Sequence, residues 1–308
     1  MVGIRAGYPR LSGMVKLRAY IACARPFTLL AVFVGVAAAA GMNVAYGNVT
    51  WPAVLVDWRH LAYGVATLLM VQIGGNFVNQ ATDQEDEINR KYRPVVRGWV
   101  SREEASTIGH LLWFFAILRA ATMGPAFGAL VTALVATSYA YSSPPLRLKQ
   151  RPWGGNISVA LARGMLGFLA AWSLWGNPLD PHPWVAGAVL TLFLVGATTA
   201  KDFADEAGDR AHGVRNLVVQ YGPRRAAWMS LPFILSPVVT IGLAAALGWL
   251  FVNTVAYLVA TLVVLTFAYH LIYSHGTANK VLEGNRPWMW MYFSLLALQV
   301  VFAVEGFI

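Results

Sequence analysis

Apolar residues along this chain gather in runs of roughly twenty, separated by short polar stretches. A run of that length, wound as an α-helix, spans a hydrocarbon layer of about 30 Å. The runs at 26–46, 61–82, 107–122, 125–142, 156–175, 184–204, 226–247, 252–273 and 289–307 predict nine transmembrane helices. The pair within 107–142 is the least sharply divided, because only Gly124-Pro125 separates two short spans. The expected fold class is therefore an all-α integral membrane protein, a bundle of about nine transmembrane helices. No long linker or low-complexity stretch divides the chain, so residues 1–308 are expected to form one domain, with 1–15 as an N-terminal tail.

Composition agrees with that pattern. Apolar residues make up 57% and charged residues 12%, against roughly 45–50% and about 25% in an average soluble domain. The net charge of +9 would suit nucleic acid, but its placement argues against that partner. Lys and Arg collect before the first span (Arg5, Arg10, Lys16, Arg18, Arg25) and in the loops after the second, fourth, sixth and eighth spans. The intervening loops carry few, with Arg59 and Arg119 as exceptions. This alternation predicts a cytoplasmic N-terminus and an external C-terminus. Residues 1–15 lack an apolar signal-peptide core, so the first span is expected to remain as an anchor. A single cysteine, Cys23, excludes an intrachain disulfide and a cysteine-based metal cluster.

The acids are the informative minority. More than half of the 14 Asp and Glu lie in the segments 83–87 and 202–209. Each segment ends an apolar run and is followed by cations: Arg90, Lys91, Arg93 and Arg97 after the first, Arg210 and Arg215 after the second. At about 100° per residue, Asn79, Asp83 and Asp86 would share a helix face within roughly 60°, and Asp202, Asp205 and Asp209 would form a similar stripe. Clustered acids at a membrane edge are costly unless a cation neutralises them. Magnesium suits such all-oxygen donors, together with phosphate oxygens and water. Lys201, Arg93 and Arg97 can take the remaining phosphate charge. The two long polar loops, 83–105 and 205–224, fall on the same side and can cap a shared cavity.

These segments resemble the signatures of the UbiA superfamily of intramembrane prenyltransferases. The first is Asn79-Gln-Ala-Thr-Asp83-Gln-Glu-Asp86-Glu-Ile-Asn89 with Tyr92-Arg93-Pro94; the second is Lys201-Asp202-Phe-Ala-Asp205-Glu-Ala-Gly208-Asp209 with His212-Gly213-Val214-Arg215-Asn216-Leu217. Tyr141-Ser-Ser-Pro-Pro-Leu-Arg147-Leu-Lys149 is similar to the family's loop between the fourth and fifth spans, and Arg25-Pro26-Phe27-Thr28 to its approach to the first. The resemblance implies a cytoplasm-facing cavity that opens sideways to lipid, where magnesium held by both Asp-rich motifs binds a polyprenyl diphosphate.

By that resemblance Asn79, Asp83, Asp86, Asp205 and Asp209 are the candidate metal ligands, and Asp83, Asp86, Asp202, Asp205 and Asp209 the candidate catalytic acids. Asn79, Arg93, Arg97, Lys149, Lys201, Arg25, Tyr141 and Arg215 are the candidate substrate-binding residues. The family spacing counted forward from Asp83 gives Glu87 as the second acid, whereas counting back from Asn89 and Arg93-Pro94 gives Asp86. Asp86 lies nearer the face shared with Asn79 and is preferred. A tyrosine frequent in the family four residues before the second-motif lysine is replaced here by Ala197.

The chemistry so implied is magnesium-dependent prenyl transfer to an aromatic or lipophilic acceptor within the membrane. The alternative is a cyclase of the same superfamily, which uses the diphosphate without an acceptor. An ion-coupled transporter would carry its acids at midplane rather than at one edge. Arg163 falls inside the fifth span, where a charge usually faces a cavity or a partner. The lone His110 and His270 read as interior or interface histidines, and Trp113, Trp172, Trp288 and Trp290 as helix-packing or interface aromatics.

Overall fold

The computed structural model describes residues 12–89, 93–273, 280–281 and 284–307. In chain order its helices are α1 (Gly13–Ala24), α2 (Pro26–Ala45), α3 (Trp51–Val56), α4 (Trp58–Thr82), α5 (Arg102–Met123), α6 (Pro125–Ser142), α7 (Gly154–Trp172), α8 (Pro181–Asp202), α9 (Glu206–Ala211), α10 (Leu217–Tyr221), α11 (Pro223–Ala246), α12 (Thr254–Tyr273) and α13 (Arg286–Phe307). A two-residue antiparallel pair, Lys280–Val281 with Gly284–Asn285, precedes α13. The fold is an all-α membrane bundle.

Each of the nine predicted spans coincides with a helix, although by length and composition eight of the described helices can cross a membrane. The exception is α6, whose last turns, Thr137-Ser138-Tyr139-Ala140-Tyr141-Ser142, are polar. Gly124, at φ +136°, and Pro125 at the first turn of α6 make the break between α5 and α6. Helix α5 begins before the predicted 107 because Ser101 and Glu104 form a reciprocal capping box at its N-terminus.

Helix α1 was not expected. Residues 13–15, assigned to a tail, are helical, and the chain turns out of α1 through Arg25, a left-handed residue at φ 53°, with Pro26 opening α2. Lys16 Nζ meets Glu104 Oε2 at 2.6 Å, Tyr20 donates to Glu104, and Cys23 is fully buried. These contacts fasten α1 against α4 and α5.

Burial separates centre from periphery. Two thirds of the apolar window of α8 is buried (67%), whereas only 22% is buried in α5 and 28% in α11 and α12. The outer helices turn side chains such as Phe114, Leu118, Val239 and Leu262 outward, as contact with lipid tails requires. Helices α4 and α5 pack with glycines facing one another: a Cβ on Gly74 would sit 2.9 Å from Gly109 O, and one on Gly109 2.9 Å from Gly74 O. Lipid offers little hydrophobic drive for helix association, so such close backbone approach supplies the packing. Trp113 is buried beside this contact and donates Nε1–H to Val71 O at 3.0 Å.

Candidate active site

A cavity of about 280 Å³ runs between the helices, lined at one end by both acid clusters and at the other by apolar side chains including Val36, Leu68, Val71, Phe168 and Leu295. The acids do not reach it as stripes on single helices. Helix α4 stops at Thr82, and Asp83 is its C-cap in extended conformation. Asn79 Nδ2 donates to Asp83 Oδ1 at 3.2 Å across this last turn. Residues 84–89 then form turns that bring Glu85 and Asp86 back to the cavity wall. Asp86 is 1% exposed and lies 3.1 Å from Arg93 Nε. Glu87 points away: its side chain is 63% exposed and pairs with Arg102 at 2.9 Å, and it does not line the cavity.

The second cluster is broken in the same manner. Helix α8 ends at Asp202, residues 203–205 turn, and α9 carries Asp209. Asp202, Asp205 and Asp209 nevertheless all line the cavity. Asn216 Nδ2 donates to Asp209 Oδ2 at 2.6 Å. Lys201 Nζ donates to Tyr141 OH at 2.7 Å, lies 4.9 Å from the centroid of that ring, and is 4.0 Å from Asp202 Oδ1. The predicted single-face geometry is thus replaced by a helix end plus a turn in each cluster.

Lys149 stands on a tight turn, Leu148–Gln150, beside the first cluster and is buried. Its ammonium bonds Asp83 and, at 2.6 Å, Glu85 Oε1. Burial alone would lower its pKa, but the neighbouring Asp83 and Glu85 carboxylates outweigh desolvation and raise it. Arg147, left-handed at φ 33°, donates from Nη2 to Thr82 O at 2.8 Å and to Glu85 Oε2 at 3.4 Å. Among the described residues, Arg25 and Arg147 are the two non-glycine residues with left-handed φ. One lines the cavity and the other braces it, in keeping with backbone strain collecting at functional sites.

The structure therefore brings Arg25, Asn79, Asp83, Asp86, Arg93, Tyr141, Lys149, Lys201, Asp202, Asp205 and Asp209 to one cavity. It does not bring Arg97 or Arg215 there. Arg97 is exposed, with its guanidinium 4.9 Å from the Trp99 ring centroid. Arg215 is exposed, and its backbone N–H bonds Gln150 O. Position along a basic loop did not reveal which way either side chain turns. Arg90, Lys91 and Tyr92 lie outside the described residues. Glu85 and Arg147 were missed as site residues, since Glu85 falls off the expected spacing and Arg147 reads as ordinary loop charge. Among the described residues no three His, Cys, Asp or Glu side chains converge tightly enough to hold a metal by themselves.

The sequence profile of the UbiA prenyltransferase family matches residues 29–296. The chain belongs to this family. It is an enzyme of the UbiA prenyltransferase type. Among relatives, it is 33% identical over 254 residues to the digeranylgeranylglyceryl phosphate synthase of Halobacterium salinarum, covering 80% of this chain and 86% of that one. The synthase of the same name from Methanoregula boonei is 32% identical over 220 residues, 68% of this chain and 71% of the relative. The chloroplastic chlorophyll synthase of Arabidopsis thaliana is 31% identical over 160 residues, 49% of this chain and 41% of its own length. In fold, this UbiA protein matches a UbiA homologue from Archaeoglobus fulgidus bound to GPP and Mg2+, with TM-score 0.66 and 19% identity over 94% of this chain and 98% of that one.

Proposed function

We propose that the protein transfers a prenyl group from a polyprenyl diphosphate to an aromatic or lipophilic acceptor inside the bilayer. One observation carries this reading: six acids and the cations Arg25, Arg93, Lys149 and Lys201 line one end of a cavity whose other end is apolar. A compact, highly charged compartment joined to an oily one matches a ligand with a diphosphate head and a hydrocarbon tail. The relatives named for prenylated lipids and for chlorophyll, and the structural relative bound to GPP and Mg2+, support the same substrate class.

The donor atoms fit magnesium. All are oxygens, and the acids fall in small groups rather than in one tight cage; magnesium is commonly held by one or two carboxylates with substrate phosphates and water completing its octahedron. Asn79, Asp83 and Asp86 would hold it on one side of the cavity, and Asp205 and Asp209 on the other. Bound there, the metal supplies positive charge that stabilises the departing diphosphate. Lys149, Lys201, Arg93 and Arg25 bind the remaining phosphate oxygens, and Asp202 holds Lys201 toward them. The allylic carbon–oxygen bond breaks with its electron pair leaving on the diphosphate. The acceptor supplies the pair for the new bond to that carbon and loses a proton. Trp288 and Tyr292, whose ring centroids lie 4.8 Å apart on the cavity wall, offer π faces to the developing allylic cation. The apolar end excludes water that would otherwise capture it. In this reading the charged end faces the cytoplasm, which the basic loops flanking it support.

Purified protein incubated with prenyl diphosphates of several lengths, with and without lipophilic acceptors, should form prenylated acceptor detectable by mass spectrometry. EDTA should stop the reaction and magnesium restore it. Full turnover in EDTA, or in Asp205→Ala, overturns the metal assignment.

A further inference from the structure

Helix α7 is α-helical except over Leu161–Leu166, which winds as a π-helix. A π turn spends an extra residue on one turn and re-aims the side chains around it, and such bulges recur at functional sites. Here the bulge is pressed against α8. A Cβ on Gly164 would lie 2.4 Å from Thr191 Oγ1 and 2.6 Å from Thr191 N, so only glycine admits this approach. Thr191 Oγ1 in turn donates to Ala160 O at 3.4 Å, meeting a carbonyl at the bulge.

Arg163 sits in the middle of this segment and lines the cavity. Its Nη1 donates to Tyr292 OH at 2.8 Å, and the guanidinium lies 6.0 Å from that ring centroid. Among the described residues no carboxylate pairs with Arg163. A phenol takes one of the five guanidinium donors and leaves the charge uncompensated. A cation inside a membrane-spanning helix is expensive, and its usual justification is a pathway or a ligand. Arg163 is also remote from the diphosphate end. Gly155, at the start of α7, abuts Lys149, and the eight steps from Gly155 to Arg163 correspond to about 12 Å of helix.

We propose that Arg163, held in place by Tyr292, binds an anionic head group on the acceptor, so that the acceptor class is lipophilic or aromatic phosphates and carboxylates rather than neutral alcohols. This rests on the prenyl-transfer reading for the rest of the cavity. A guanidinium fork matches both oxyanions, and the experiment distinguishes the two.

The protein in neutral-lipid nanodiscs is titrated with dodecyl phosphate, dodecanoate and dodecanol, with magnesium and the unreactive donor analogue geranylgeranyl thiolodiphosphate at saturation, and binding is followed by calorimetry. The anion matching the natural head group should bind at least about tenfold more tightly than the alcohol, the size of a charge-assisted hydrogen-bonded contact. Arg163→Gln should abolish that preference without changing affinity for the donor analogue, and Arg163→Lys should keep part of it. Equal binding of all three probes, or a preference that survives Arg163→Gln, overturns the proposal. So does displacement of the anion by the donor analogue, which would place it among the acids and lysines instead. If the analogue itself does not bind the wild type with magnesium, the prenyl-transfer reading fails, and the same titration without it still tests Arg163. Should Arg163→Gln fail to insert, Tyr292→Phe keeps the ring and removes the bracing hydroxyl. It should weaken the anion and leave the alcohol unchanged, and unchanged anion affinity then overturns the proposal.

Discussion

The side-chain oxygen of Asn89 accepts the backbone N–H of Gly208 at 2.7 Å, joining two residues 119 apart in sequence. Gly208 fits because it lacks a side chain: a Cβ there would lie 2.4 Å from Glu85 O and 2.5 Å from Asn89 Oδ1. The turn that carries Glu85 and Asp86 is thereby locked to the helix that carries Asp209. The two acid clusters keep their spacing through this contact rather than through a shared helix.

Breaking that lock should misplace both clusters. Asn89→Ala leaves a buried N–H without its acceptor, a cost of about 1–3 kcal/mol, and Gly208→Ala forces the loops apart. Each should lower kcat/KM for the donor by about 10- to 100-fold, the scale expected of a misplacement near 1 Å. Steady-state kinetics together with thermal unfolding check this, and wild-type kinetics in Gly208→Ala would show that the spacing is set elsewhere.

Asp86 and Glu87 are adjacent in sequence and opposite in surroundings. Asp86→Asn should cost about 100-fold in turnover, comparable to loss of one transition-state-stabilising group. Glu87→Gln removes a largely exposed ion pair with Arg102 and should stay within about threefold of wild type, since such pairs contribute little. Turnover of the two variants side by side decides the matter; the reverse order would show that Glu87 moves into the cavity during catalysis.

Acceptor dependence separates transfer from cyclisation. Because an acceptor positioned beside the allylic carbon converts capture into an effectively unimolecular step, diphosphate consumption without acceptor should fall below about one hundredth of the rate with it. Rapid acceptor-free release of a cyclic terpene would favour the cyclase while leaving the fold and donor site in place.

The Cys23 thiol should be inert. Burial within α1 pushes its pKa up to about 12, so the thiolate is scarce throughout the working range. Labelling by a maleimide should remain slow as pH rises from about 7 to 9, an interval in which an ordinary thiol, with pKa near 8.5, becomes mostly reactive. Intact-mass measurement before and after unfolding in detergent checks it; fast native labelling would show that α1 detaches.

The spans were legible because hydropathy over a membrane-length window is a strong, local signal, and the α5–α6 break was legible in Gly124-Pro125. The acids were legible by scarcity and by their resemblance to family motifs. Their geometry was not, since a helical extrapolation from Asn79 to Asp86 ignores that α4 ends at Thr82. Helix α1 escaped because it is short and flanked by basic residues, and its place depends on Glu104, more than eighty residues away in sequence. Glu85, Arg147 and Tyr292 escaped for a related reason: each acquires its partner only when distant elements meet. Arg97 and Arg215 show the converse, where a suitable residue type at a suitable position turns outward.

Helix α1 also carries a practical consequence. Asn76 Nδ2 donates to Ala24 O at 2.8 Å and Gln80 Nε2 to Cys23 O at 2.9 Å. Both amides belong to the last two turns of α4, beside Asn79 and Asp83. A truncation that begins the chain at Pro26 would retain the apolar spans yet leave each of these two buried amides one acceptor short, with only Thr28 Oγ1 and Asn76 O remaining to them, beside the first acid cluster. Trimming the N-terminus is therefore surgery on the floor of the reaction chamber, and its damage should be sought in donor binding before it is sought in membrane insertion.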